Sequence, residues 1–144
     1  MSDRQIYVPP SGPPQVPRPN PAIYAAMGQE NIYKMLEDLY LELGQSEIKE
    51  MFPRDLVKAS EKSAAFFVGL LGGPPIYHQL YGSPMLRARH MPFVITEHGR
   101  QVWVDCFERT LSRAVEQYDF PAEHLDDFRA FLDGFSTWMV NAQE

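Results

Sequence analysis

One histidine stands apart among the residues able to carry chemistry. His90 lies within the run Met85-Leu86-Arg87-Ala88-Arg89-His90-Met91-Pro92-Phe93, an imidazole set among apolar neighbours and followed closely by a proline. A neutral imidazole is a metal ligand, and an imidazole at a helix C-terminus is also a favourable end-of-helix residue. Residue type and spacing leave both roles open. His78, His98 and His124 do not join it in a two-histidine zinc motif on one helix. The chain has no glycine-rich phosphate loop and no nucleophile elbow. Cys106 is the single cysteine, which excludes an intrachain disulfide and a cysteine-rich zinc cluster. It shares a helix face with Trp103 and reads as a buried structural thiol. The acidic side chains are spread along exposed faces and read as solvated charge.

A frame must hold such residues in place. The chain has 144 residues, 44% hydrophobic and 22% charged, which suits a single globular domain. A chain of that length buries roughly two-thirds of its unfolded surface, enough for a core. Its net charge of -6 argues against a phosphate-binding surface, so nucleic acid is not an expected partner. No run of eighteen apolar residues occurs, and no membrane partner is expected. Met1 to Arg4 lead into a polar, proline-rich stretch rather than an apolar signal core. The expected location is cytoplasmic.

Seven of the thirteen prolines fall between Pro9 and Pro21, so residues 1–21 are expected to be an extended arm outside the core. A disordered or loosely packed tail is the expectation, with docking as the alternative. Beyond it the pattern is helical. Ile32, Met35, Leu36, Leu39 and Leu43 mark one buried face, and Gly44 a stop. Asp55 caps a helix whose repeating face is Ala59, Lys62, Ser63, Phe66, Phe67 and Leu70, broken by Gly72-Gly73-Pro74-Pro75. Ser83-Pro84 reads as a cap and first-turn proline opening a short helix toward His90, which Pro92 closes. Thr96 caps the next helix, carrying Val102, Trp103, Cys106, Phe107, Thr110, Leu111 and Ala114. Pro121 opens the last, with Leu125, Phe128, Leu132, Phe135 and Met139 on its apolar face. The fold class is all-α.

From Ala22 onward, over about 120 residues, the chain resembles a truncated haemoglobin of the group II branch. The resemblance rests on Gly72-Gly73-Pro74 with a tyrosine after it, on Met85 to Phe93, and on Val102-Trp103-Val104-Asp105-Cys106-Phe107. Leu39-Tyr40 and Met51-Phe52-Pro53 fall at suitable places upstream. It implies a two-over-two helical sandwich around haem, formed by residues 22–144, with the arm outside the family core. It implies one haem b (iron protoporphyrin IX), held non-covalently because a lone cysteine cannot make the two-cysteine attachment. His90 takes the part of the proximal iron ligand, its other ring nitrogen donating to the carbonyl of Leu86 or a near neighbour.

On the opposite haem face the resemblance places Tyr40, Trp103 and Phe52. Dioxygen on ferrous iron gains partial negative charge, so a phenol O–H and an indole N–H can both donate to it. Losing either bond, at about 1.5–3 kcal/mol, would speed ligand release roughly ten- to a hundred-fold. Phe52 packs against the porphyrin where other members carry a tyrosine. Ala59 falls where many globins place a distal histidine, and Ser63 either holds a water or assists Tyr40. Phe66, Phe67, Leu86, Phe93, Phe107 and Met139 are candidate apolar walls. Lys62 and Arg89 are candidate partners for the haem propionates, with plain solvation the alternative for each.

The expected function is reversible binding of dioxygen and other diatomic ligands such as NO and CO. One rival is an enzyme: nitric oxide dioxygenation or peroxide reduction, fed by an external electron donor because the chain has no flavin or nicotinamide domain. Another is a haem-free helical interaction module using the proline-rich arm. The expected state is a monomer or a homodimer.

Overall fold

The computed structural model describes residues 5–144; the expectation for Met1 to Arg4 lies outside the described residues. Seven α-helices follow one another: α1 (Ala22–Leu43), α2 (Leu56–Leu70), α3 (Ile76–Tyr81), α4 (Leu86–His90), α5 (Glu97–Leu111), α6 (Ala114–Gln117) and α7 (Leu125–Thr137). Single 3-10 turns at Lys49–Met51 and Ala122–His124 complete the regular structure among the described residues. Main packing is of α1 on α2 and of α5 on α7, with α1 also meeting α5. This is the two-over-two arrangement of a shortened globin. Among the described residues no helix is long and apolar enough to cross a membrane.

The expected face of α1 is buried throughout: Ile32, Met35, Leu36, Leu39 and Leu43 are all inaccessible to solvent. The helix begins ten residues earlier than that face, at Ala22, and breaks at Gly28. There φ is 76° and ψ 165°, a conformation open to glycine because it lacks a Cβ. Asp55 caps α2 by accepting from the Lys58 amide at 3.1 Å, and Thr96 caps α5 by accepting from the Gly99 amide at 3.1 Å. Phe107, Leu111 and Phe128 then join α5 and α7 to the core, where Phe128 meets Phe67, Phe107 and Phe120 ring to ring.

Several expectations are corrected. The core face of α2 is Ser60, Ala64, Phe67 and Val68, continued by Leu71, rather than the face running through Ala59, Lys62 and Phe66. Small residues at 60 and 64 let α2 lie close to α1; Ala59, Ser63, Phe66 and Leu70 are half-buried, and Lys62 is exposed. Ser83 and Pro84 do not cap α4, which starts at Leu86 after Met85 takes a left-handed conformation (φ 29°, ψ 56°). Pro121 opens a 3-10 turn instead of the last helix, and α7 ends at Thr137, so Met139 lies past it. The six-residue α3 fills part of the expected loop after the double glycine. Gly72 is needed there: φ is 110°, and a Cβ would fall 2.7 Å from the Pro21 Cα.

Residues 5–21 carry no helix or strand but lie against the domain. Pro9 and Pro19 are buried, Val16 packs on the core cluster, and the Tyr7 amide donates to the Asn141 carbonyl at 2.9 Å.

Candidate functional site

His90 is the last residue of α4, half-buried, with its Nδ1 2.6 Å from the Leu86 carbonyl oxygen. A carbonyl can only accept, so Nδ1 carries the hydrogen, and in the neutral imidazole Nε2 then keeps its lone pair. The turn that sets this up is short. The Met91 amide donates to the Ala88 carbonyl and the Phe93 amide to the His90 carbonyl, and Pro92 has no amide to continue the ladder.

A second group of side chains comes from α1 and α2. The Tyr40 hydroxyl and the Ser63 hydroxyl are hydrogen-bonded at 2.5 Å, and the Phe52 ring meets Tyr40 edge-on at 5.5 Å. Burial pushes the Tyr40 phenol above its ordinary pKa, outweighing the opposing effect of the Ser63 bond. The phenol therefore keeps its proton at neutral pH and remains a donor. Ala59 lies one helical turn before Ser63, half-buried on the same face of α2.

Trp103, half-buried on α5, meets Phe107 edge-on at 5.3 Å. From Phe107 the ring contacts pass to Phe67 (5.7 Å), Phe66 (5.5 Å) and Tyr77 on α3 (6.0 Å). Phe66 also stacks on Phe135 of α7 at 5.9 Å. Tyr77 and Phe135 thus belong to this run of rings. Periodicity puts Phe135 on the apolar face of α7 but assigns Tyr77 no side-chain role; the i, i+4 pair Tyr77 and Tyr81 is the signal for the latter.

Both candidate cations stand over the α3 tyrosines. The Lys62 Nζ is 5.2 Å from the Tyr81 ring centroid, and the Arg89 guanidinium 5.4 Å from that of Tyr77. Arg89 also donates to the carbonyls of Tyr81 and Ser83 at 2.9 and 2.8 Å. Leu86 is half-buried, while Phe93 is 42% exposed and shares segment 80–94 with the exposed Leu80, Met85 and Val94. Met139 is buried beside the C-terminal tail, outside the main core cluster.

These residues fit a flat, amphipathic, iron-bearing ring. The imidazole offers Nε2 as a neutral donor atom, which suits iron. The apolar surface of segment 80–94 is costly to leave in water and calls for an apolar cover. Two cations at the edge of that surface suit carboxylates carried by the same group.

Comparison with known proteins bears on the family and the fold. The family model for "Bacterial-like globin" matches residues 22–141. The chain is 38% identical over 124 residues to "Group 2 truncated hemoglobin YjbI" of Bacillus subtilis (strain 168), covering 85% of this chain and 91% of that one. Among solved structures it is similar to phosphate-bound Hell's gate globin IV, with TM-score 0.83, 30% identity and coverage of 100% of this chain and 88% of that one. It is also similar to the truncated oxygen-avid haemoglobin from Bacillus subtilis, with TM-score 0.74, 31% identity and coverage of 85% and 99%.

Proposed function

The chain belongs to the bacterial-like globin family as a group II truncated haemoglobin, and on that premise we propose that it binds one haem b non-covalently through His90. In this reading it takes up dioxygen reversibly, together with other diatomic ligands such as NO and CO. The observation that carries the proposal is the bond from His90 Nδ1 to the Leu86 carbonyl at 2.6 Å, which reserves Nε2 for the metal. Haem, when bound, supplies the iron and its reversible affinity for small ligands.

The remaining work falls to the chain. With the Ser63 hydroxyl donating to the Tyr40 oxygen, the single phenol O–H is left to donate toward a ligand that gains negative charge. Trp103 adds an indole N–H from α5. Phe52 brings no hydroxyl, so the phenol of Tyr40 works beside an apolar ring. Ala59 leaves the approach beside Ser63 free of a bulky gate. Phe66, Phe67, Phe107, Leu86 and Phe93 exclude water from the ring faces, and Lys62 and Arg89 serve its carboxylates. Residues 22–144 form this haem-holding domain, and residues 1–21 an arm added to it.

Titration of ferric haem into the purified apoprotein tests the proposal. One equivalent should saturate the Soret change, and the ferrous form should give a sharp carbonyl spectrum. Non-saturating, detergent-like haem uptake would overturn it.

A further inference from the structure

The helix that carries His90 has little of its own to hold it. α4 is five residues long and none of them is buried, well below the length at which a helix persists alone. Two polar side chains supply what burial does not. Arg87, half-buried, donates from Nη1 to the carbonyls of Trp138 and Val140 (2.9 Å to the latter) and from Nη2 to that of Tyr7 at 2.8 Å. Its guanidinium lies 4.4 Å from the Trp138 ring centroid. Trp138 is the C-cap of α7, so this cation also meets the negative end of that helix.

Asn141 works on the other end of α4. It is fully buried, and its Nδ2 donates to the carbonyls of His90 and Phe93 at 3.3 and 3.0 Å. Its Oδ1 accepts from the Ile95 amide at 3.0 Å, and its own amide donates to the Ile95 carbonyl at 2.9 Å. The Tyr7 amide donates to the Asn141 carbonyl, which ties the arm to the same tail. Segments near both ends of the chain, around residues 7 and 138–142, therefore converge on one five-residue helix.

We propose that Arg87 and Asn141 are positioning residues for the proximal ligand, a clamp that fastens the His90 helix to the N-terminal arm and the C-terminal tail. The proposal rests on reading His90 as the iron ligand. Arg87 sets where the helix lies, through three carbonyls that its planar, multi-donor fork reaches at once. Asn141 is a second donor to the His90 carbonyl beside the Phe93 amide, so its loss loosens the ligand's own backbone.

The test compares full-length holoprotein with Arg87→Met, Arg87→Lys and Asn141→Ala by amide hydrogen exchange and by the iron–histidine stretching band of the ferrous form. Arg87→Met keeps the stem over Trp138 and removes the fork; Arg87→Lys keeps the charge. Exchange protection over residues 86–95 should fall about tenfold or more in Arg87→Met and Asn141→Ala, and less in Arg87→Lys. Amides of 29–43 in α1 should change far less, and the stretching band should broaden or shift in the same order as the local protection. Uniform loss of protection across the chain, or an unchanged band with unchanged exchange in all three variants, overturns the clamp. A parent protein without any iron–histidine band refutes the ligand reading instead, while the exchange comparison still judges the clamp. Where Asn141→Ala does not fold, Arg87→Lys and Arg87→Met decide alone.

Discussion

The two groups of candidate site residues are held in place by different forces. Tyr40 and Ser63 sit on α1 and α2, long helices whose other faces are rooted in the core through Leu36, Leu39, Ala64 and Val68. His90 sits on a helix with no buried residue, held by donors from Arg87 and Asn141 to main-chain carbonyls. Many buried side chains must leave the core together before α1 or α2 can move, whereas the short helix depends on a handful of bonds that can be lost one at a time. The donor side is therefore expected to be thermodynamically stiff, and the ligand side to be locally mobile as soon as a few bonds are removed.

Substitutions can break or sharpen that contrast. The largest effect belongs to the core: Phe128 is inaccessible and surrounded by three rings, so Phe128→Ala should lower the stability of the whole domain by about 3–5 kcal/mol in urea melts. Next comes the donor itself. Tyr40→Phe should retain haem and release dioxygen roughly ten- to a hundred-fold faster in stopped-flow displacement, with Ser63→Ala moving the rate in the same direction by less. Equal rates in parent and Tyr40→Phe would remove the phenol from the ligand's surroundings.

Smaller effects probe the short helix and the phenol's charge. Met85 occupies a left-handed conformation with φ 29°, so Met85→Gly should raise stability by up to about 1 kcal/mol, read as a small upward shift of the urea midpoint. The smallest effect is none. Because burial holds the Tyr40 phenol above its ordinary value, the protonated donor persists below that value and is lost only at higher pH. Dioxygen release should then be flat between about pH 6 and pH 9, and a rise through that window would show that another group controls it.

The same contrast decides what the amino-acid sequence reveals. The α1 face, the Gly44 stop and the Asp55 and Thr96 caps are local signals, spaced within one or two helical turns, and the structure has them where periodicity puts them. The α2 face misleads because that helix has two half-apolar sides: alanines face α1, while the larger phenylalanine at 66 faces its ring partners Tyr77 and Phe135. α3 and α4 are too short for any period to show, and His90 stands out through a motif instead of a pattern. Arg87 and Asn141 escape sequence reading altogether. Their partners lie 46 to 80 residues away, and nothing in a run such as Leu86-Arg87-Ala88 distinguishes a buried fork from a solvated one.

The most direct test of the central claim replaces His90 by glycine and supplies the missing ligand from solution. His90→Gly should bind haem weakly and with a heterogeneous spectrum, and millimolar free imidazole should restore a single histidine-type ferrous spectrum. A His90→Gly protein whose haem content and ferrous spectrum match the parent without imidazole would show that another side chain holds the iron.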